Sequence, residues 1–236
     1  MKTRGLVIFD AYQTLVTARP GSTTTFVDGL SRAGLDASVS VLAELQAASE
    51  GLDHSAWSGS RENYAGWAAE TLRTAREAGV SAGSDLAARM VPALEQLHQA
   101  PMVAMPGAGS CLKTLKAAGF TIAVCSNWGW DLREDLESTG LTADVDVLVT
   151  SAQAGFRKPH PRIYGSTLEL AGFAADDAVF VGDSLRTDVL GPERVGIRSV
   201  LLAPTASEPI HREQVGSLAG VAHLLIDGNP AGVPPR

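Results

Sequence analysis

Three observations predict an α/β fold, a doubly wound and mostly parallel sheet with an inserted all-helical cap domain. From Gly107 onward, short runs rich in β-branched residues alternate with helical patterns, the signature of βαβ units. One further strand, residues 6–9, stands far from these in sequence. Between the two, residues 22–100 hold almost no strand-like run.

The first strand is four apolar residues, Leu6, Val7, Ile8 and Phe9, which run straight into Asp10. A carboxylate in that place stands where a parallel sheet presents its carboxyl end to a ligand crevice. Segments 24–33, 38–50, 61–79 and 84–99 read as helices, the third carrying Tyr64, Trp67, Ala68, Thr71, Leu72 and Ala75 along one face. Stretches 18–21 and 100–107, punctuated by Pro20, Gly21, Pro101, Pro106 and Gly107, read as the two linkers of a cap. Beyond them, strands are expected at 120–125, 145–150, 178–181 and 198–202, and helices at 108–118, 129–139, 161–172 and 185–195. Gly119, Gly140, Gly172 and Gly196 stand at the C-terminal stops of those helices. The resulting division is a core of residues 1–17 and 107–227, a helical cap with its linkers at 18–106, and a loose Pro/Gly-rich tail at 228–236.

Composition narrows the function. A chain of 236 residues, 45% hydrophobic, can bury a sizeable core. Its net charge of -7 argues against nucleic acid or anionic lipid as partner and favours a small-molecule substrate. Cys111 and Cys125 show neither disulfide-framework nor zinc-ligand spacing, a usage that fits the cytoplasm. The basic start, residues 1–4, leads into an apolar run that ends at Asp10, too short for a signal-peptide core or a membrane span. The histidines at 54, 98, 160, 211 and 223 show no ligand spacing and read as surface or structural residues.

Polar residues on this frame gather at strand ends. Asp10 and Thr14 follow the first strand, Ser126 and Asn127 the next, Lys158 precedes a helix, and Asp183, Ser184 and Asp188 follow the strand at 178–181. In a doubly wound sheet these ends share one crevice. The sequences Phe9-Asp10-Ala11-Tyr12-Gln13-Thr14-Leu15, Val124-Cys125-Ser126-Asn127, Gly155-Phe156-Arg157-Lys158-Pro159 and Gly182-Asp183-Ser184-Leu185-Arg186-Thr187-Asp188 resemble the four ordered motifs of the haloacid dehalogenase-like hydrolase superfamily. The resemblance covers almost the whole chain and implies a Rossmann-like catalytic core, with the insertion similar to the helical cap of subfamily I.

Such a site implies a definite chemistry. Asp10 as a nucleophile would form a covalent ester and divide one hydrolysis into two steps. Thr14, Ser126, Asn127 and Lys158 are donors suited to phosphoryl oxygens, and Lys158 also offsets the charge of Asp10. Three converging carboxylates call for a hard dication, so magnesium is the expected ion. The resemblance implies as its ligands Asp10, the Tyr12 carbonyl and Asp183, with Asp188 acting through water.

The first motif departs from the phosphatase pattern. Phosphatases of the superfamily usually carry a second aspartate two residues after the nucleophile, as general acid and base, where this chain has Tyr12. Halide leaves without a proton, so the 2-haloacid dehalogenases, which resemble this chain in their Tyr, stand as the alternative to a magnesium-dependent phosphatase of a small metabolite. Their usual Gly after that Tyr is Gln13 here, their fourth motif lacks the Gly182-Asp183-Ser184 pattern of this chain, and they work without metal. A non-catalytic ligand-binding or interaction module is the third reading. The cap is expected to determine substrate, with Trp57, Arg61, Tyr64 and Trp67 as candidates for recognition, although aromatics at helical spacing are more often core. Trp128 and Trp130 offer either an apolar wall between core and cap or packing for the next helix.

Overall fold

The structure, a computed structural model, describes residues 4–19, 101–204 and 209–228. The four cap helices, the outer part of both linkers, the tail beyond Gly228, and Trp57, Arg61, Tyr64 and Trp67 all lie outside the described residues.

Six parallel strands form the main sheet: β1 (Leu6–Phe9), β4 (Thr121–Ser126), β5 (Val147–Thr150), β6 (Ala178–Gly182), β7 (Arg198–Leu202) and β8 (Gln214–Val215). Their order is β5-β4-β1-β6-β7-β8. The chain builds outward from β1 to β5 on one side, then crosses back to start β6 on the other. β1 therefore marks the place where strand order reverses, and ligands in such sheets bind outside the carboxyl ends of the strands at that point. Phe9 pairs with Val124 of β4 and Val181 of β6, so the loops after all three strands leave the sheet at one level.

The period of two along each strand divides the core cleanly. Val7, Phe9, Ile122, Val124 and Val181 face one side, where they pack with Leu112 and Leu115 of α1 (Ala108–Ala117) and with Val221 and Leu224 of α6 (Leu218–Asp227). Leu6, Ile8, Ala123, Cys125 and Phe180 face the other, against Ile163 and Tyr164 of α4 (Pro161–Ala171). Each large apolar side chain so buried contributes about 1.5–3 kcal/mol, and burial on both faces explains why these strands read as unbroken apolar runs. The expected stops hold: Gly119, Gly140, Gly172 and Gly196 all take positive φ. Both cysteines are buried and free.

Four elements differ from expectation. The inner parts of the linkers are not irregular: β2 (Val16–Ala18) pairs antiparallel with β3 (Met102–Ala104), a ribbon that carries the chain out of the core and back. Three-residue strands leave too short a pattern to read. The helix expected at 185–195 is a π-helical turn over Leu185–Leu190 followed by the short α5 (Gly191–Glu193). Gly191 permits the close approach of Tyr164, whose ring a Cβ at 191 would overlap. The helix expected at 129–139 begins later, as α2 (Leu132–Ser138). A single-turn helix, α3 (Ser151–Ala154), follows β5 directly. Among the described residues no helix is long and apolar enough to cross a membrane.

Candidate active site

Asp10 leaves β1 with its backbone N–H still donating to the Val181 carbonyl at 2.9 Å, so the last rung of the β1–β6 ladder fixes where its side chain starts. The loop then turns sharply, with the Leu15 and Val16 amides both donating to the Ala11 carbonyl. Gln13 holds a φ of 59°, the left-handed region, in this turn. That conformation suits glycine, which accounts for the glycine expected there by resemblance. The Gln13 amide partly compensates by donating to Thr17 Oγ1 at 3.1 Å.

Lys158 is the hub. Its Nζ lies 2.8 Å from Asp10 Oδ1 and 2.7 Å from Asp188 Oδ1, and all three side chains are largely buried. The Asp188 contact is a well-formed hydrogen bond, whereas Asp10 Oδ1 meets the ammonium as an ionic contact outside hydrogen-bond alignment. The ammonium also stands 5.0 Å over the Phe180 ring. Burial alone would lower the Lys158 pKa, but Asp10 and Asp188 outweigh it and hold it raised, so the side chain stays charged.

Asp188 is fully buried, with Oδ2 accepting from the Ser184 amide at 3.0 Å and Oδ1 taken by Lys158. It reaches inward because Gly182 has no side chain: a Cβ there would come within 2.5 Å of the Asp188 Cβ and Cγ. Ser184 caps the π turn by accepting from the Thr187 amide. Burial raises the Asp188 pKa, Lys158 opposes this and Asp10 adds to it. Asp183 is exposed by surface area, yet partial desolvation of its carboxyl and the Asp10 charge raise its pKa too.

Carboxylate oxygens of Asp10, Asp183 and Asp188 lie within 4.8 Å of one another. With Lys158 the cluster sums to two negative charges, which a dication would balance. Hard oxygen donors are the ligand type magnesium takes, and the buried Thr14 hydroxyl reaches Asp183 as a further oxygen at the site. The residues present therefore fit such an ion. Asp188, with both oxygens occupied, fits a ligand acting through water better than one in direct contact.

The structure thus brings together Asp10, Thr14, Lys158, Asp183 and Asp188. Ser126 is buried at the end of β4, beside them. The Asn127 side chain accepts from the Lys158 amide at 2.7 Å and donates to the Lys158 carbonyl at 3.0 Å, which pins the lysine backbone; the second N–H of its NH2 group is a further donor. The Tyr12 ring meets that of Trp128, their centroids 6.2 Å apart. Sequence reasoning missed Asp135, which accepts from the Trp128 indole at 3.0 Å; an acid seven positions on carries no local signal. His160 caps α4, and His211 and His223 pair with Glu193 and Asp227, so the described histidines act structurally.

A buried lysine bridges Asp10 and Asp188, with the Asp183 carboxylate beside them. The chain belongs to the haloacid dehalogenase-like hydrolases, matched over residues 5–196. It is 34% identical over 168 residues to haloacid dehalogenase-like hydrolase domain-containing protein 3 of Homo sapiens, covering 67% of this chain and 65% of that protein. Ribulose-1,5-bisphosphate 5-phosphatase of Halopiger xanaduensis is 34% identical over 105 residues, 44% of each chain. The 2-haloacid dehalogenase of Pseudomonas syringae shares the fold at a TM-score of 0.63 and 21% identity, over 95% of this chain and 99% of that one.

Proposed function

We propose that this hydrolase is a magnesium-dependent phosphomonoesterase acting on a small phosphorylated metabolite through an aspartyl ester at Asp10. The observation that carries the reading is the cluster of Asp10, Asp183 and Asp188 around one ammonium. The phosphatase activity named for the Halopiger relative agrees with it. The ion, held by Asp10, Asp183 and the Tyr12 carbonyl with Asp188 behind it, would neutralise charge on the phosphoryl oxygens.

The chain's own residues do the rest. Lys158 grips Asp10 Oδ1 and leaves Oδ2 to attack phosphorus as the bond to the leaving oxygen breaks. Thr14 and Ser126 supply hydroxyl donors where negative charge spreads. Asn127 keeps Lys158 in place by holding its backbone. Water then attacks phosphorus, releasing phosphate and restoring the Asp10 carboxylate.

Dehalogenation without metal is the rival, favoured by Tyr12. It would leave Asp183 and Asp10 close together with no dication, so that two like charges face each other. A non-catalytic module has no need of a buried cluster of charges. Incubating the protein with 4-nitrophenyl phosphate, with and without magnesium, and separately with 2-chloropropionate, decides among the three. Phosphate release only with magnesium supports the proposal. Halide release without it makes the protein a dehalogenase, and inactivity toward a broad panel of both substrate types points to a binding module.

A further inference from the structure

The wall beside the nucleophile is aromatic and unusually well fixed. Tyr12 lies two residues past Asp10 and Trp128 two past Ser126, on loops that leave adjacent strands. The Tyr12 side chain is 38% exposed, while Trp128 is 9% exposed. Trp128 is tied at both ends: its indole donates to Asp135 Oδ2, and its carbonyl accepts from the Ala152 amide and the Ser151 hydroxyl, each at 3.2 Å. The rings meet at 52°, a tilted geometry that lets one aromatic face buttress the other. A half-exposed ring braced by a fixed one, next to a reacting carboxylate, is a surface for a flat apolar group.

Among the described residues, proton supply at the same place is poor. Among the described residues the carboxyls clustered with Asp10 are Asp183 and Asp188. Asp188 has both oxygens bonded within the protein, and Asp183 belongs to the ion site. Tyr12 stands two residues past Asp10, at the position the resemblance gives to a carboxyl acid, and a phenolic hydroxyl is a weaker general acid than a carboxyl. An alkoxide would thus depart without the roughly 10²–10⁴-fold help of a general acid. A phenolate or enolate needs no such help, because its charge is delocalised.

Resting on the phosphomonoesterase reading, we propose that Tyr12 and Trp128, the latter positioned by Asp135, form the wall on which the leaving group packs, and that the substrate is a phosphate monoester of a flat, acidic hydroxyl, an aryl or enol phosphate. As the Asp10 oxygen–phosphorus bond forms, the ester P–O bond breaks and its electron pair leaves on the aryl or enol oxygen. That anion takes its proton from water after departure.

The test compares 4-nitrophenyl and phenyl phosphate with glycerol 1-phosphate, all with magnesium. The expected kcat/KM for the aryl esters exceeds that for the alkyl ester by about 100-fold or more, the size of the missing acid's contribution. Tyr12→Leu and Trp128→Leu each raise KM for phenyl phosphate by about tenfold with a smaller change in kcat, as expected for a lost aromatic contact. Asp135→Ala has the same effect, and Asp135→Asn, which keeps an oxygen acceptor for the indole, restores the KM. Tyr12→Asp narrows the aryl-to-alkyl ratio by speeding the alkyl ester. Equal turnover of aryl and alkyl esters, or an unchanged aryl KM in Tyr12→Leu and Asp135→Ala, overturns the proposal while the phosphatase reading stands. Absence of magnesium-dependent phosphate release from every ester overturns both.

Discussion

The two edges of the sheet hold ion pairs of nearly the same length and opposite meaning. At the amino-terminal edge, Lys116 meets Asp146 at 2.6 Å with both side chains about a third exposed, and Arg198 meets Glu213 at 2.6 Å in a similar setting. At the carboxyl edge, Lys158 meets Asp10 and Asp188 at 2.8 and 2.7 Å while only 2% exposed. Exposed pairs of the first kind contribute about 0–1 kcal/mol, because water screens them. A buried cluster forfeits hydration that it recovers only if every charge is matched. The carboxyl edge is short of two positive charges, since three carboxylates share one ammonium, and that deficit marks it as the place built for a ligand.

Breaking both lysines gives the largest contrast. Lys158→Met leaves Asp10 and Asp188 buried without their cation, so it is expected to lower stability by about 3–5 kcal/mol and abolish turnover. Lys116→Met should cost about 1 kcal/mol or less with activity intact. Denaturant unfolding and phosphate release measure both, and equal losses at the two sites would remove the distinction. Gly182→Ala sharpens the same edge from the backbone. Its methyl group would displace Asp188, with an expected loss of about 1–3 kcal/mol and a weakened magnesium dependence, read by unfolding and a metal titration.

A smaller effect concerns Asp135. Burial raises its pKa to about 6, with Asp131 and Glu134 adding to the shift and the Trp128 hydrogen bond opposing it. A carboxyl whose folded pKa lies above its unfolded value binds more protons when folded, so its contribution to stability falls as pH rises from about 4 through 6. Asp135→Asn should flatten the fall in thermal stability across that window. A variant that keeps the wild-type profile would show that Asp135 is not the group responsible. The smallest expected effect is at Gln13. A non-glycine residue in the left-handed region costs about 1–2 kcal/mol, and glycine's greater unfolded-state entropy takes back about 0.4–1 kcal/mol. Gln13→Gly should therefore stabilise by about 1 kcal/mol or less, and any destabilisation would mean that the bond to Thr17 matters more than the strain.

Much of this was legible in the chain itself. The position of Asp10 followed from four apolar residues ending in a carboxylate, and the helix ends followed from Gly119, Gly140, Gly172 and Gly196, because left-handed stops need glycine. The ribbon of β2 and β3 was not legible, since three residues cannot display a period. Nor was the π turn, as Leu185–Leu190 keeps an ordinary helical spacing while its geometry answers to Asp188 turning inward. Side-chain type alone also could not say that Asn127 holds the Lys158 backbone, because a donor suited to phosphate is equally suited to a carbonyl. The link from Asp135 to Trp128 is of the same kind.

The central claim, that Asp10 is the covalent nucleophile of a phosphate transfer, has a direct chemical readout. The enzyme would be quenched in acid while turning over 4-nitrophenyl phosphate with magnesium, reduced with borohydride, and the peptide containing residue 10 weighed. An aspartyl phosphate is reduced to homoserine, so the account predicts that mass change at position 10 in the wild type and its absence in Asp10→Asn, which should also release no phosphate. Phosphate release that persists in Asp10→Asn, or reduction that falls on another residue, would contradict it.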